Sequence, residues 1–176
     1  MVLTIALVVI ALLAVVLVLA AAKPSEFRVE RTTRIQAAPA RIFPHIADFH
    51  RWADWSPYEK LDAAMTRTHG GAPSGPGAVY EWEGNNKVGK GRMEIMEATT
   101  PTKLTVKLDF VKPFVAHNVA EFRLEPAGDA TDVTWSMRGP SPYVTKLMSV
   151  FVDMDKLIGK DFEAGLANLK ALAERG

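Results

Sequence analysis

Asp48-Phe49-His50-Arg51-Trp52-Ala53-Asp54-Trp55-Ser56-Pro57 is the stretch on which the reading of this chain turns. It sets two of the chain's four tryptophans three residues apart, at a helix end that runs into a Ser-Pro loop. Three roles are open to Trp52 and Trp55. They can plug a small core, wall a cavity for an apolar ligand, or sit at a membrane surface, where tryptophan is also favoured.

The sequence on either side narrows the choice. Upstream, Phe27, Val29, Thr33 and Ile35 alternate with Arg28, Glu30, Thr32 and Arg34, the period of a half-buried strand, with Arg31 as the inward exception. Ala38-Pro39 stops that strand, and proline suits the first turn of a short helix over 40–47. A second helical piece over 48–54 carries the tryptophans. Downstream, strands are expected over 63–68, 78–83, 88–98, 104–110, 116–124 and 131–138. They are divided by the glycine- and proline-rich run 70–77, by Gly84-Asn85-Asn86-Lys87, by Thr100-Pro101 and by Pro126-Ala127-Gly128-Asp129. Alternation directs Leu104, Val106, Leu108 and Phe110 inward, then Ala116, Asn118, Ala120, Phe122 and Leu124, then Val133, Trp135 and Met137. From Pro142 to Glu174 apolar residues recur at three- and four-residue steps, which predicts one long amphipathic helix. Strands gathered on one side of a helix make an α+β layer arrangement.

The first 22 residues contain no charged side chain, and Thr4 is their only polar one. As a helix they would reach ~33 Å, enough to cross a bilayer core. No basic residue precedes the run and it exceeds the usual apolar region of a signal peptide, so an uncleaved anchor over residues 2–22 is favoured. The alternative is cleavage after Ala20-Ala21-Ala22. Lys23, Arg28, Arg31 and Arg34 follow the span and favour a cytoplasmic domain. Residues 23–26 read as a linker and 27–174 as the folded domain.

The net charge of +1 offers no broad basic face for nucleic acid. With no cysteine there are no disulfides, thiolate ligands or thiol nucleophiles. His45 and His50 are five residues apart, outside the spacing that puts two rings on one helical face, so no metal site is expected, nor any cofactor. The glycine-rich loop lacks the lysine and hydroxyl residue of a phosphate cradle. Arg31, Glu81 and Glu83 are the titratable side chains that could reach an interior. Tyr80 and Trp82 as the inward pair of their strand would leave both glutamates in water.

The order of elements resembles the helix-grip fold of the START-like, or SRPBCC, superfamily: a curved antiparallel sheet gripping a long C-terminal helix around an elongated cavity. Ile35-Gln36-Ala37-Ala38-Pro39 with Ile42-Phe43 is similar to the family's entry to its first short helix, and 48–57 to its D-F-x-x-W-x-x-W-S-P segment. Val133-Thr134-Trp135 and the run 161–170 are similar to the last strand and terminal helix of the polyketide cyclase/dehydrase and lipid transport branch. The resemblance implies a cavity for a hydrophobic small molecule or lipid and no catalytic residues. Its walls would be Trp52 and Trp55 from the junction and Trp82 and Met93 from the middle strands. Phe110, Asn118, Phe122 and Trp135 would follow from the later strands, and Phe151, Phe162 and Gly165 from the helix. An aromatase/cyclase enzyme and a protein-interaction module on the same scaffold are the alternatives.

Overall fold

The charge-free run folds as one helix, α1 (Val2–Ala21), exposed along nearly all its length apart from Ala20. A helix that is apolar all round has no polar face to turn to water, and 20 residues span about 30 Å, the thickness of a hydrocarbon core. Residues 1–175 are described by the structure, a computed structural model.

Beyond a short connection the chain forms β1 (Glu26–Ile35), α2 (Pro39–Ala47), α3 (Trp52–Trp55), β2 (Thr66–Gly71), β3 (Ala78–Glu83), β4 (Lys90–Thr99), β5 (Lys103–Lys112), β6 (Ala116–Ala127), β7 (Ala130–Pro140), α4 (Tyr143–Met148) and α5 (Met154–Arg175). The strands make one antiparallel sheet of seven, ordered β1-β7-β6-β5-β4-β3-β2. β2 to β7 pair as a meander, and β1 closes onto β7, the last strand. The face predicted from alternation is the buried one: Leu104, Val106, Ala120, Phe122, Leu124, Val133 and Trp135 lie at 0–5% exposure. The buried face of α5, with Phe162, Gly165, Leu166, Leu169 and Ala173, lies along β1 and joins the same core.

Three expectations need correction. The long C-terminal helix is two helices: the chain leaves helical structure between Met148 and Met154. Asp153 Oδ1 accepts from the backbone N–H of Lys156 at 3.1 Å, an N-cap that starts α5 afresh. Phe151 falls in that break and is 74% exposed, so it does not face the sheet. The expected strand over 63–68 lies later: β2 takes in Gly70 and Gly71 and pairs with β3, so the glycine-rich turn starts only at Ala72.

Register gives the sheet two distinct ends. Phe27 pairs with Gly139, Asn118 with Leu108, Leu108 with Met93, and Gly91 with both Phe110 and Trp82. This row lies where β1 begins and β7 finishes, the end from which α1 and α4 both depart. The opposite end carries Ile35, Thr131 and Leu124, with the β6–β7 hairpin at its tip.

Candidate functional site

The tryptophan junction solves a backbone problem first. The last carbonyls of a helix have no intrahelical partner. Trp52 Nε1 donates to the Ile46 carbonyl at 3.0 Å and Trp55 Nε1 to the His45 carbonyl at 2.9 Å, so both indoles cap the end of α2. Their rings then fill the space between α3, α5 and the sheet. Trp55 is 0% exposed, with its centroid 5.0 Å from Trp52, 6.0 Å from Phe122 and 5.5 Å from Trp135. Asn168 on α5 donates to the Trp55 carbonyl at 3.0 Å and fastens the junction to the long helix.

Trp135 continues the aromatic column by stacking on Phe162 at 4.0 Å, nearly parallel. Gly165 completes the fit. A methyl group there would stand 2.8 Å from Trp135 Cζ3, 3.1 Å from Pro57 Cδ and 3.6 Å from Trp55 Cζ3. Of the expected wall residues, Trp52, Trp55, Phe122, Trp135, Phe162 and Gly165 therefore come together in a filled half of the sheet–helix interface.

The other half differs. Trp82 and Leu108 keep 9% exposure, Met93 8% and Met137 7%, where Leu104, Val106, Phe122 and Val133 keep none. Phe27, Phe110 and Ile158 are only partly buried against the core. Trp82, Met93, Phe110 and Asn118 belong to this end, the one beside α1 and α4. Here the interface loosens toward solvent, and here it holds a polar group without a partner: Asn118 Oδ1 is buried and accepts no hydrogen bond, while its Nδ2 reaches only the Met137 sulfur at 3.9 Å. Trp135 Nε1, between the two halves, is likewise buried and unpartnered. Buried polar atoms are rarely left so, and each calls for an explanation.

The charged residues nominated from the sequence stay off this face, although the nearly buried Glu59 carboxylate accepts from the Tyr80 hydroxyl at 2.5 Å. Glu81 and Glu83 are exposed, opposite the buried Tyr80 and Trp82. Arg31 points at α5 and not into the interior: Nε donates to Glu163 at 2.7 Å, and Nη1 and Nη2 each donate to Asp155 at 3.0 Å. Tyr58 lies edge-on to Trp135 and beside Asp161; burial, reinforced by that carboxylate, raises its phenol well above the ordinary range. It is a proton donor at neutral pH and not a base. Among the described residues no group of histidines and carboxylates is placed to hold a metal. Two surface concavities lie elsewhere, one on the outer sheet face between Glu26, Arg28, Glu121 and Arg138, one beside β2 between Phe49, His50 and His69.

At the loose end the apolar surface continues outward. Phe114 and Val115 at the β5–β6 turn, Val144 and Met148 on α4 and Phe151 after it are all exposed. The stripe of three- and four-residue steps had marked Val144, Met148 and Phe151 as a core face. The break after α4 is what turns them outward.

The sheet and the α5 grip recur among known proteins. The family described as polyketide cyclase / dehydrase and lipid transport matches residues 26–174. The chain belongs to this family. Its helix-grip architecture recurs in solved structures of low identity. The Aha1 dimer from Colwellia psychrerythraea matches with TM-score 0.60 and 13% identity, over 84% of this chain and 96% of that one. Protein CV1439 from Chromobacterium violaceum matches with TM-score 0.59 and 15% identity, over 86% and 99%. Ara h 8.0201 matches with TM-score 0.58 and 12% identity, over 86% and 99%. At these identities the likeness is one of fold. No curated protein matches the chain.

Proposed function

We propose that this family member binds an apolar small molecule or lipid at the loose end of its sheet–helix interface, and that α1 holds the domain at a membrane. The observation that carries the reading is Asn118: a buried amide oxygen without a donor, ringed by Leu108, Met137 and Gly139 in the half that is not fully closed. Apolar walls with a few convergent polar groups are the composition of a ligand pocket. An acyl chain gains about 0.8 kcal/mol per buried methylene, so no charged clamp is required, and a hydroxyl or amide on the ligand would satisfy Asn118.

A second reading has its own support. The filled half, with Trp135 stacked on Phe162 and Gly165 occupied by aromatic edges, suits a protein-interaction module with a collapsed interior. Mass spectrometry of an organic extract of the full chain, purified from membranes, separates the two. A stoichiometric apolar compound that co-purifies with the chain supports ligand binding, and one bearing a hydroxyl or amide should be depleted in Asn118→Leu. A clean extract, together with no saturable binding of an apolar fluorescent probe, supports the module. The aromatase/cyclase reading is the least supported, because the charged candidates lie off the interior face.

A further inference from the structure

We infer that the loose end of the domain docks on the surface of the bilayer that α1 crosses, through α4, the turn that follows it and the β5–β6 turn. The inference rests on the proposed anchoring by α1. Tyr143 on α4 donates its hydroxyl proton to the Leu17 carbonyl at 3.0 Å, which fixes α4 against the last turns of α1. Leu17 lies four residues before the helix ends at Ala21, about 6 Å along the axis. With α1 across the bilayer, Tyr143 stands at the boundary between headgroups and acyl chains, where tyrosine is enriched.

What surrounds Tyr143 suits that depth. Val144, Met148 and Phe151 follow within the next eight residues, and Phe114 and Val115 project from the same end of the sheet; Phe114, Val115 and Phe151 are each at least 70% exposed. A water-facing surface seldom gathers large apolar side chains this way. Lys23 and Lys146 flank them and form no ion pair among the described residues, so they are free for anionic headgroups. The acids nearby are occupied: Asp155 by Arg31, Asp153 by Lys156 and Glu83 by Lys90 and Lys112. A short amphipathic element lying in the interface, beside a spanning helix, is the arrangement that results. The loose end then faces lipid, and an apolar ligand enters without crossing water.

The natural chain has no cysteine, so single cysteines report position cleanly. Full-length protein carrying Phe114→Cys, Phe151→Cys, Val9→Cys or Asp129→Cys, each labelled with an environment-sensitive fluorophore, is reconstituted in phosphatidylcholine/phosphatidylglycerol vesicles. Lipids bearing a nitroxide at a shallow or a deep position act as quenchers. The expected result is blue-shifted emission at Phe114 and Phe151 quenched best by the shallow nitroxide, deep quenching at Val9, and none at Asp129 in the far hairpin. Deep quenching at Val9 with Phe114 and Phe151 in water overturns docking and leaves the anchor standing. Blue-shifted rim labels that no nitroxide quenches mean that protein covers the face, which also overturns it. A Val9 label in water overturns anchor and docking together.

Discussion

The guanidinium of Arg31 occupies the space that a side chain at Gly159 would fill. A strand residue and a helix residue 128 positions apart in sequence thus fit only because the helix carries no Cβ there. Glycine in a helix interior is less favourable than alanine by about 1 kcal/mol, and exposed ion pairs return little. Gly159→Ala is therefore expected to push Arg31 off Asp155 and Glu163 while leaving the urea midpoint unchanged or slightly raised. A loss of more than about 1 kcal/mol in chemical denaturation would show that the clamp matters more than exposed pairs normally do.

The same pair predicts a response to acid. Hydrogen bonds from Arg31 hold the Asp155 carboxyl below its ordinary value. A carboxyl whose folded pKa lies under its unfolded one, about 3.9, adds stability that is fully present above that value and is lost as pH falls through the folded pKa. Unfolding free energy should fall on acidification below about pH 4, and less steeply in Asp155→Asn than in the natural chain. Parallel slopes for the two proteins would show that Asp155 is not held by Arg31 in solution.

Gly165 faces the rigid edge of Trp135, not a flexible chain end. Its Cβ position is 2.8 Å from Cζ3, so the indole would have to move, and Trp135 is itself stacked on Phe162. Gly165→Leu is expected to overpack the filled half and cost about 1–3 kcal/mol in urea denaturation. A raised melting temperature would instead reveal free space at this point and return Gly165 to the ligand site.

The sheet could be read from residues 104–137 because alternation fixes which side chains face inward, and a slip of one residue would have exposed every one of them. The break in the C-terminal helix could not be read in this way. Val144, Leu147, Met148, Phe151 and Met154 keep helical spacing across it, and spacing marks one face only when the helix is continuous. The signal that could have found it is local: Asp153 three residues before Lys156, an N-cap ahead of a new helix. The division of the interface into filled and loose halves was hidden too. Trp135 and Met137 alternate identically in sequence, and only the helix above them sets how tightly each is covered.

Trp55 ties the filled half to the backbone. Trp55→Phe removes the donor to the His45 carbonyl and leaves a void where the six-membered ring met Trp135 and Phe122. The lost hydrogen bond and the cavity together are expected to cost about 2–4 kcal/mol. Binding of an apolar probe at the loose end should be unchanged in protein that remains folded. Weakened probe binding at undiminished stability would place Trp55 in the ligand site.

Asn118 sets stability against binding. Its Oδ1 is buried without a donor and sits against the Cα of Gly139, where a side chain on Gly139 would collide with it. An unpartnered buried polar group costs about 1–3 kcal/mol, and replacing it by an apolar side chain of similar shape removes that cost. Asn118→Leu is expected to raise the unfolding free energy of ligand-free protein by about that amount. If the amide is kept to bind a ligand hydroxyl or amide, the same variant should lose selectivity between a long-chain alcohol and the matching alkane, while still taking up the alkane. Thermal shifts measured with each compound on both proteins decide it. A natural chain that does not distinguish alcohol from alkane would show that Asn118 has no role in recognition.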